Sequence, residues 1–543
     1  MNVKKGAQSF NLADLFESIV DAVPDRTALV SDERRLNYLQ LEDRANRLAN
    51  CWSSLGIGRN DHIGLQLRNG TEYLEAMLAA FKLRAVPINI NFNYVEGELE
   101  YLYRDADMVA VVTHQRFASR VAQVTPGIDK LRHVFCVADD SGEPIPEQCI
   151  DYEQALTESS PARNFPARHS DDIYIVYTGG TTGMPKGVVW HHRDIFFAAM
   201  GGGDADQTRG PIGKPEELVG RIPDNPLMLL PTPPFMHAAA QWSSFTALFC
   251  GGKTVIPARG SFVADKIWQS VNDEAVNMLA IVGDAMATPL IESLAENPGR
   301  WNTSSLQVVA SGGALFSPAT KKRFLELVPG TMILDGLGSS ETGLMGNKIS
   351  AEADGDDPEP RFRVNEHMTV LDKDNQVIAP GSTEMGFLAR KGHVPIGYYN
   401  APEKSAATFV EIKGERWAIP GDLAMVEADG CILLLGRGSV SINTGGEKVF
   451  PEEVESRVKE HEDIRDAVVV GIKDDRYGEI VAVVCQTRSG NKLELEDLRE
   501  FCRQRLANYK IPRAIVCLDT IKRSPAGKAD YPWAKQQAEA ALP

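Results

Sequence analysis

Apolar positions in the first part of the chain alternate between helical and strand spacing. Within residues 41–55 they recur at steps of three and four, which predicts an amphipathic helix that ends at Gly56. A shorter helix is predicted at 12–20, with Asn11 as its cap. Strand and helix patterns then follow in turn at 63–67, 72–84, 86–90, 98–104 and 109–112. This alternation predicts a mainly parallel sheet with helices on both faces.

Three later apolar strands each lead into a segment of small residues. The segments are YTGGTTGMPKGVVW (177–190), SGGAL (311–315) and DGLGSSETG (335–343). In open α/β sheets, ligands bind where loops leave the carboxyl ends of strands. We therefore expect the three segments to gather in one crevice and to bind a nucleotide there.

The pattern changes twice in the second half of the chain. Residues 350–435 are short, turn-rich segments that predict a small antiparallel barrel or sheet, and residues beyond 436 predict an α+β unit of about a hundred residues. We predict an α/β protein with an N-terminal domain of doubly wound sheets (1–436, including the β-rich part) and a small mobile C-terminal domain (437–543). Residues 139–170 are expected to be an irregular connection, and 201–225 a long flap or insertion.

Composition restricts the class of partner and the compartment. The net charge of -17 argues against nucleic acid as a main partner, because phosphate would be repelled by most of the surface. The eight cysteines form no CxxC pair, which favours free thiols in a reducing cytoplasm. No signal peptide is evident, and no apolar run approaches the roughly 20 residues of a membrane span. We expect a cytoplasmic protein without a membrane segment.

The segment at 177–190 has the composition of a polyphosphate loop. It follows an apolar run and holds four glycines, three threonines and one lysine, so backbone N–H groups, hydroxyls and a cation can surround an anion. It is not a Walker A loop, because Lys186 lies between Pro185 and Gly187. It resembles the phosphate loop of the adenylate-forming enzymes, which are the acyl- and aryl-CoA synthetases, adenylation domains and luciferases.

The resemblance to this family covers most of the chain, from about residue 36 to residue 528. It is closest to bacterial fatty-acyl-CoA synthetases of the actinobacterial type that is linked to steroid side-chain breakdown. Further stretches that carry it are NFNYVEGELEYLYRDADMVA, GDAMATP, GRGSVSINTGGEKVFPEEVE and KRSPAGKADY. The family uses ATP, Mg²⁺ and CoA, and these are the expected cofactor and substrates here.

The resemblance implies an ATP site drawn from several motifs. The departing pyrophosphate is expected at the phosphate loop, adenine at SGGAL and at Asp335, the ribose at Asp422, and ribose or phosphate at Arg437. The full set of implied ATP-binding residues is Thr178, Gly179, Gly180, Thr181, Thr182, Lys186, Ser311, Gly312, Gly313, Ala314, Asp335, Gly336, Leu337, Ser340, Asp422 and Arg437. Leu337 departs from the family, which usually has a tyrosine that stacks on adenine.

Two charged residues are implied to act in the chemistry. Glu341 is expected to bind Mg²⁺, because a hard cation that bridges phosphates prefers a carboxylate oxygen. Lys528 resembles the family lysine that reaches into the crevice from the small domain. A lone lysine near a C-terminus is ordinarily a solvated surface charge. Its neighbours Pro525 and Gly527, and the complete set of upstream motifs, favour the catalytic interpretation.

The acyl and CoA sites are less well defined by the sequence. His237 is a catalytic candidate through the shape and gating of the acyl pocket, not through acid–base chemistry. The residues implied for the acyl pocket are His237, Gln241, Asp284 and Leu337, and those for the CoA channel are Gly445, Gly446 and Lys448. The interdomain hinge is expected at Ser439, where relatives often carry Asp or Lys.

The implied reaction is the activation of a carboxylic acid as an acyl-adenylate, followed by transfer of the acyl group to CoA. Medium-chain, long-chain and steroid-linked acids remain open as substrates, and the oligomeric state, including a homodimer, is open too. Two alternatives remain: an adenylation enzyme that loads a carrier protein, and a non-catalytic nucleotide-binding relative. The retention of Lys528, Glu341 and Asp422 argues against the second of these.

Overall fold

The computed structural model describes residues 7–32, 34–178, 184–205, 207–257, 260, 262–350, 361–437, 441–444, 447–474, 476–524 and 527–541, with the Arg437 side chain left aside. The chain divides into two compact units. Unit 1 comprises Met1–Ala280, Ser340–Gly343 and His393–Phe409, and unit 2 comprises Ile281–Ser339, Leu344–Gly392 and Val410–Pro543. The domain boundary expected after residue 436 stays a prediction.

The α-helices of the described residues are, in chain order, α1 (Leu12–Ala22), α2 (Tyr38–Ser54), α3 (Thr71–Lys82), α4 (Glu96–Asp105), α5 (Gln115–Val124), α6 (Tyr152–Thr157), α7 (His192–Ala199), α8 (Ala238–Phe249), α9 (Ala264–Glu274), α10 (Gly283–Glu296), α11 (Pro318–Leu327), α12 (Pro402–Thr408), α13 (Pro451–Val458), α14 (Leu495–Arg503) and α15 (Tyr531–Ala541). None of them is both long and apolar enough to span a bilayer.

The β-strands of the same residues are β1 (Thr27–Val30), β2 (Arg35–Asn37), β3 (His62–Gln66), β4 (Val86–Asn89), β5 (Met108–His114), β6 (His133–Val137), β7 (Ile150–Asp151), β8 (Ile173–Thr178), β9 (Lys186–His191), β10 (Met228–Pro231), β11 (Lys253–Val255), β12 (Met278–Ile281), β13 (Val308–Gly312), β14 (Met332–Ser339), β15 (Gly343–Ser350), β16 (Arg361–Val364), β17 (Met368–Leu371), β18 (Gly386–Lys391), β19 (Gly397–Tyr398), β20 (Phe409–Ile412), β21 (Glu415–Ala418), β22 (Asp422–Val426), β23 (Ile432–Arg437), β24 (Ile442–Thr444), β25 (Glu447–Val449), β26 (Ile464–Asp474), β27 (Gly478–Thr487) and β28 (Ala514–Cys517).

Unit 1 contains the parallel sheets that the hydrophobic pattern predicts. Strands β4-β3-β5-β6-β7 form one sheet whose neighbours are all parallel. Strands β1, β11, β10 and β12 pair in parallel in a second sheet, with β2 antiparallel at its edge. The predicted cap of α1 is confirmed, since the Asn11 side chain accepts a bond of 2.8 Å from the backbone N–H of Ala13. Most positions of these strands are buried, which accounts for their continuous apolar runs.

Unit 2 contains a parallel pair and two antiparallel regions. Strand β13 runs parallel to β14, and β16, β17, β18, β20, β21, β22 and β23 form the antiparallel β-rich part that the sequence predicts. Near the C-terminus, β26 and β27 pair over ten positions, with β28 parallel to β27. Helices α13 and α14 pack against one set of alternating positions of β26 and β27, and α15 packs against the other set. The α/β class with a β-rich part and a C-terminal α+β unit is therefore confirmed.

Three local predictions need correction. The stretch 139–170 is not wholly irregular, because it contains β7 and α6. The segment DGLGSSETG is not a loop over most of its length, because β14 continues to Ser339 while it pairs with β13. Strand pairing overrides the low strand propensity of small residues there. The β-rich part also includes a short helix, α12, which begins with Pro402.

The eight cysteines are unpaired by disulfides, as the prediction of free thiols requires. All of them are free thiols, and three are buried. Cys485 and Cys517 face each other on β27 and β28, with 3.7 Å between their sulfur atoms.

Candidate active site

The phosphate segment connects β8 and β9, two strands of unit 1 that pair as a β-hairpin. Strands β8 and β9 pair antiparallel, and Thr178 lies opposite Lys186 at the base of the turn. Gly179, Gly180, Thr181 and Thr182 lie outside the described residues. Gly187 is required beside the base, because a Cβ there would lie 2.7 Å from the Tyr177 ring. The hairpin therefore fixes Thr178 and Lys186 as neighbours at the entrance to the turn.

Lys186 and Glu341 meet through a residue that the sequence did not indicate. The Tyr398 hydroxyl donates a 2.9 Å hydrogen bond to Oε1 of Glu341, and the Lys186 ammonium lies 5.2 Å from the centre of the Tyr398 ring. Strand β19 pairs with β9, which puts Tyr398 opposite Val188. The GYYN segment offers no periodicity that would have singled out this tyrosine.

Glu341 is held in place through its chain neighbour as well. The indole N–H of the buried Trp190 donates a 3.0 Å hydrogen bond to the carbonyl of Ser340. Ser340 thus lies beside the last residues of the phosphate hairpin, and its role at ATP remains a prediction. The implied magnesium carboxylate and the implied phosphate lysine belong to one group in unit 1.

The implied adenine residues form a second group, in unit 2. The register of β13 and β14 places Ser311 opposite Asp335 and Gly312 opposite Gly336. A Cβ on Gly312 would lie 3.2 Å from the carbonyl oxygen of Gly336, so a larger residue would crowd the neighbouring strand. Strand pairing therefore joins two motifs that are separate in sequence.

The Ser311 and Asp335 side chains have different partners. The Ser311 hydroxyl accepts a 3.0 Å bond from the backbone N–H of Gly283, which ties β13 to the start of α10. Asp335 forms an ion pair with Lys321 of α11, and burial raises the pKa of Asp335 above its ordinary value against the opposing charge of Lys321. A carboxylate has two oxygens, so this pair still leaves acceptor capacity for a ligand amino group.

Leu337 is part of the apolar core of the β-rich part. It is 8% exposed and belongs to the same buried cluster as Met345, Phe362 and Met368. The side chain at this position therefore contributes packing in unit 2. Its roles at adenine and in the acyl pocket remain predictions.

Lys528 lies beside the adenine strip. A Cβ on Gly313 would be 3.3 Å from Cε of Lys528 and 3.8 Å from its Nζ, so the lysine stem passes over the bare backbone of this glycine. Gly313 has a φ of +81°, a conformation that favours glycine. Ala314 follows directly. The fold thus brings together two motifs from distant parts of the sequence.

Asp422 and Arg437 are at opposite positions of the backbones of two paired strands. Their Cα atoms are register partners in β22 and β23. The Oε2 atom of the neighbouring Glu452 of α13 is buried. Burial, together with the negative charges of Glu455 and Asp422, raises the pKa of Glu452 to about 7. The implied hinge residue Ser439 lies outside the described residues.

The implied acyl residues of unit 1 lie at the start of α8. His237 is the residue before the helix, and its backbone N–H donates to the carbonyl of Pro234 at 2.9 Å. The Gln241 amide accepts from the Tyr174 hydroxyl at 2.5 Å and donates to the carbonyl of Phe235 at 2.6 Å. Gln241 therefore fixes the turn that carries His237, and its own part in the pocket stays a prediction.

Asp284 is held by protein groups in unit 2. Its Oδ1 accepts from the backbone N–H and the hydroxyl of Ser317 at 2.9 and 3.1 Å, and its Oδ2 lies 3.4 Å from Nζ of Lys459. These contacts make it part of the frame around α10, and its place in the acyl pocket remains a prediction. Of the implied CoA residues, Gly445 and Gly446 lie outside the described residues, and Lys448 is exposed on β25.

The side chains fit the expected metal and nucleotide. A half-buried carboxylate, Glu341, oriented by a phenol and close to a lysine, suits a magnesium ion that is shared with phosphate oxygens. The bare glycine backbone at 312–313 suits a flat base. Each group, taken by itself, thus has the chemistry that one part of a nucleoside triphosphate requires.

Comparison with known proteins identifies the family. The model of the AMP-binding enzyme family matches residues 16–399, and the model of the AMP-binding enzyme C-terminal domain matches residues 453–528. The chain belongs to the AMP-binding enzyme family. The first match alone covers more than half of the chain and spans the phosphate hairpin, the adenine strip and Glu341.

Several relatives match this AMP-binding enzyme over nearly its whole length. It is 46% identical over 535 residues (97% of this chain and 96% of the relative) to the 3-oxocholest-4-en-26-oate--CoA ligase of Rhodococcus rhodochrous. It is also 46% identical over 537 residues (98% and 97%) to the Medium/long-chain-fatty-acid--CoA/3-oxocholest-4-en-26-oate--CoA ligase of Mycobacterium tuberculosis. These names bear out the resemblance to steroid-linked and fatty-acyl ligases that the sequence motifs indicate.

Solved structures show the same fold. An anthranilate CoA ligase in complex with anthranoyl-AMP matches with a TM-score of 0.84 at 21% identity, covering 98% of each chain. A benzoate CoA ligase from Burkholderia xenovorans LB400 matches with a TM-score of 0.79 at 22% identity, covering 97% of this chain and 99% of the other. At this identity the likeness establishes the fold, and the AMP-binding enzyme therefore has the architecture that its motifs imply.

Proposed function

We propose that this chain is an ATP-dependent, AMP-forming acyl-CoA ligase, an acid–thiol ligase that activates a carboxylic acid as an acyl-adenylate and transfers it to CoA. The observation that carries the proposal is the position of Lys528, whose stem lies over Gly313 at the end of β13. A protein that only bound a nucleotide, without catalysis, would not need a lysine from a turn far along the chain beside Gly313.

The chemical task is to give a carboxylate a usable leaving group, because a thiol cannot displace oxide. In the first step, a carboxylate oxygen attacks the α-phosphorus of ATP, the bond to the bridging oxygen breaks, and pyrophosphate leaves. Negative charge grows on phosphate oxygens in the transition state, so fixed cations and hydrogen-bond donors supply most of the acceleration.

Each polar group has one task in this step. Lys528 neutralises charge on the α-phosphate, and Lys186 with Thr178 holds the departing pyrophosphate. Asp335 accepts a bond from the adenine amino group, and Asp422 accepts bonds from the ribose hydroxyls, since a carboxylate is a natural acceptor for a vicinal diol. Mg²⁺, when bound at Glu341, supplies charge neutralisation for the polyphosphate.

In the second step the CoA thiolate attacks the acyl carbonyl carbon, and the bond from that carbon to the phosphate oxygen breaks to release AMP. Lys528 and the CoA channel cannot both be directed at the reacting acyl group at the same time. The C-terminal domain therefore rotates between the two steps. The glycine-rich segment 434–448 supplies the hinge near Ser439. Gly445, Gly446 and Lys448 then line the CoA path.

The proposed substrate is a medium- or long-chain fatty acid or a steroid side-chain acid. Support comes from the names of the relatives that are 46% identical across nearly the whole chain. His237, Gln241, Asp284 and Leu337 contribute to the acyl pocket. The proposed location is the cytoplasm. Sedimentation velocity decides between a monomer and a homodimer.

The test is to incubate the protein with ATP, Mg²⁺, CoA and a panel of acids, and to measure AMP, pyrophosphate and acyl-CoA. The panel contains fatty acids of increasing chain length, a 3-oxo steroid with a side-chain carboxyl group, and benzoate as an aromatic control. We expect CoA-dependent AMP with fatty or steroid acids. Pyrophosphate release without acyl-CoA would instead support transfer to a carrier protein, and the absence of AMP with every acid would overturn the proposal.

A further inference from the structure

The turn that carries Lys528 is closed by its own backbone. The N–H of Ser524 donates to the carbonyl of Lys528 at 2.9 Å, and the N–H of Gly527 donates to the carbonyl of Ser524 at 2.8 Å. Arg523 and Ala529 form an isolated antiparallel bridge at the base of the turn. These contacts fix Gly527 and Lys528 relative to Ser524, so the base of the turn determines where the Lys528 backbone lies.

Arg523 ties this turn to the sheet beside it. Its Nε and Nη2 donate to the two oxygens of Asp466 on β26 at 2.7 and 2.6 Å, and its Nη1 donates to the carbonyl of Gly527 at 3.1 Å. The Arg523 side chain is only 13% exposed. A two-pronged contact of this kind fixes the plane of the guanidinium, and through Nη1 it fixes the residue directly before Lys528.

Asp466 is itself held from the other side. Nζ of Lys459 lies 3.1 Å from Oδ1 of Asp466 and 3.4 Å from Oδ2 of Asp284, and the Lys459 side chain is 4% exposed. Although burial opposes it, the positive charges of Lys459 and Arg523 hold the pKa of Asp466 at about 2. The carboxylate therefore stays ionised throughout the neutral range.

The two ends of this chain of contacts meet the same element. Asp284 lies in the first turn of α10, and a Cβ on Gly527 would lie 3.2 Å from Cβ of Ala285 in that helix. A series of polar contacts thus begins at α10 and returns to it. Its members are, in order, Asp284, Lys459, Asp466, Arg523 and the Gly527 carbonyl. The Lys528 turn is clamped against the start of this helix, next to Gly313.

We propose that Arg523, anchored by Asp466, is a positioning residue for Lys528 and sets the rate of adenylate formation without contacting the substrate. The inference rests on the proposed role of Lys528. Displacing a catalytic group by about 1 Å can cost on the order of 100-fold in rate. The thioester step does not use Lys528, so Arg523 matters in one half-reaction and not in the other.

The chain offers a matched control on the adjacent residue. Arg465 pairs with Glu292 of α10 at 2.8 Å, and its side chain is 40% exposed. Among the described residues it shares the contact to α10 with Arg523's network but not the hydrogen bond to Gly527. Arg465→Gln removes an arginine, a charge and an ion pair to the same helix. It therefore removes the same formal charge near α10 without the contact to Gly527.

The experiment measures the two half-reactions separately in Arg523→Gln, Arg523→Lys, Asp466→Asn and Arg465→Gln. For Arg523→Gln we expect adenylate formation without CoA to fall by about 100-fold in kcat, with the KM for ATP nearly unchanged. Thioester formation from supplied acyl-adenylate should stay within about twofold of wild type. Arg523→Lys keeps the charge but not the two-pronged guanidinium contact, so it should recover part of the adenylation rate. Arg465→Gln should keep the full rate.

Hydrogen exchange of the peptide that contains Gly527 and Lys528 gives a readout that does not depend on activity. We expect faster exchange in Arg523→Gln and Asp466→Asn and no change in Arg465→Gln. Equal loss of both half-reactions, or slow exchange in every variant, would overturn the positioning role. If wild type forms no adenylate while exchange still rises in Arg523→Gln, the proposed function fails and the link between Arg523 and the turn remains.

Discussion

The phenol of Tyr398 donates a 2.9 Å hydrogen bond to Glu341, and the Lys186 ammonium lies over the ring of the same tyrosine. One side chain thus contacts both the expected magnesium carboxylate and the expected phosphate lysine. The phenol restricts the carboxylate to one orientation. The cation above the ring face gains electrostatic attraction that leaves its N–H donors available for phosphate.

Tyr398→Phe should weaken the use of Mg²⁺ without removing the contact of the ring with Lys186. A hydrogen bond to a charged group contributes about 1.5–3 kcal/mol, so we expect the Mg²⁺ concentration at half-maximal adenylate formation to rise by roughly tenfold or more. Titration of the adenylation rate with MgCl₂ measures this.

The matched control for that variant is Tyr399→Phe. It removes a neighbouring phenol that donates to Asp107 at 2.9 Å, away from Glu341. The magnesium titration of Tyr399→Phe should match wild type. Equal shifts in the two variants would contradict the role given to Tyr398.

Gly313→Ala should slow adenylate formation, because the new Cβ would lie 3.3 Å from Cε of Lys528 and displace its stem. We expect a loss of roughly 10- to 100-fold in kcat, on the scale of a misplaced catalytic group. Gly330→Ala is the control, since Gly330 has a similar φ of +84° but nothing within 4 Å of an added Cβ. Backbone strain alone would affect both variants similarly, and equal rates in the two would refute the steric explanation.

Glu452 should make stability depend on pH. Its pKa rises from 4.5 when unfolded to about 7 when folded, so the folded state binds the extra proton between these values. The contribution of protonated Glu452 to the free energy of unfolding is therefore fully present below about pH 4.5 and is lost as pH rises through 7. Within the described part of the chain, its buried Oε2 has no hydrogen-bond partner.

Glu452→Gln keeps the shape and removes the titration. Between pH 4.5 and 8, the free energy of unfolding of the variant should gain on wild type by on the order of 2–3 kcal/mol. Urea unfolding at several pH values measures the difference. Glu453→Gln, at the exposed neighbouring residue that pairs with Lys510, should not reproduce this gain. A constant difference at all pH values would contradict the raised pKa.

Much of the fold follows from local pattern. In the first 130 residues, long amphipathic helices alternate with apolar strands, and each predicted element from α1 to β5 is present within a few residues of its expected bounds. The boundaries at 335–339 were wrong because pairing with β13 extends a segment that is rich in glycine and serine. Local propensity does not include the neighbouring strand.

Some residues of the candidate site could likewise be identified from the sequence, and others could not. Motif residues such as Lys186, Glu341 and Lys528 were identified because their order along the chain resembles a family. Tyr398 and Arg523 were not identified, because their importance lies in what they contact. Those contacts form only when distant segments pack, and an isolated tyrosine or arginine in sequence has no distinguishing signal.

The assignment of Lys528 to adenylate formation alone is tested by measuring the two half-reactions separately in Lys528→Ala. Lys522→Ala is the control, since Lys522 is an exposed lysine near the same turn that pairs with Asp530. We expect Lys528→Ala to lose adenylate formation by at least about 100-fold, the scale of lost transition-state charge stabilisation, while it still converts supplied acyl-adenylate and CoA to acyl-CoA and AMP. Lys522→Ala should perform both steps. Normal adenylate formation in Lys528→Ala, or equal loss of both steps, would show that Lys528 does not act specifically in adenylate formation.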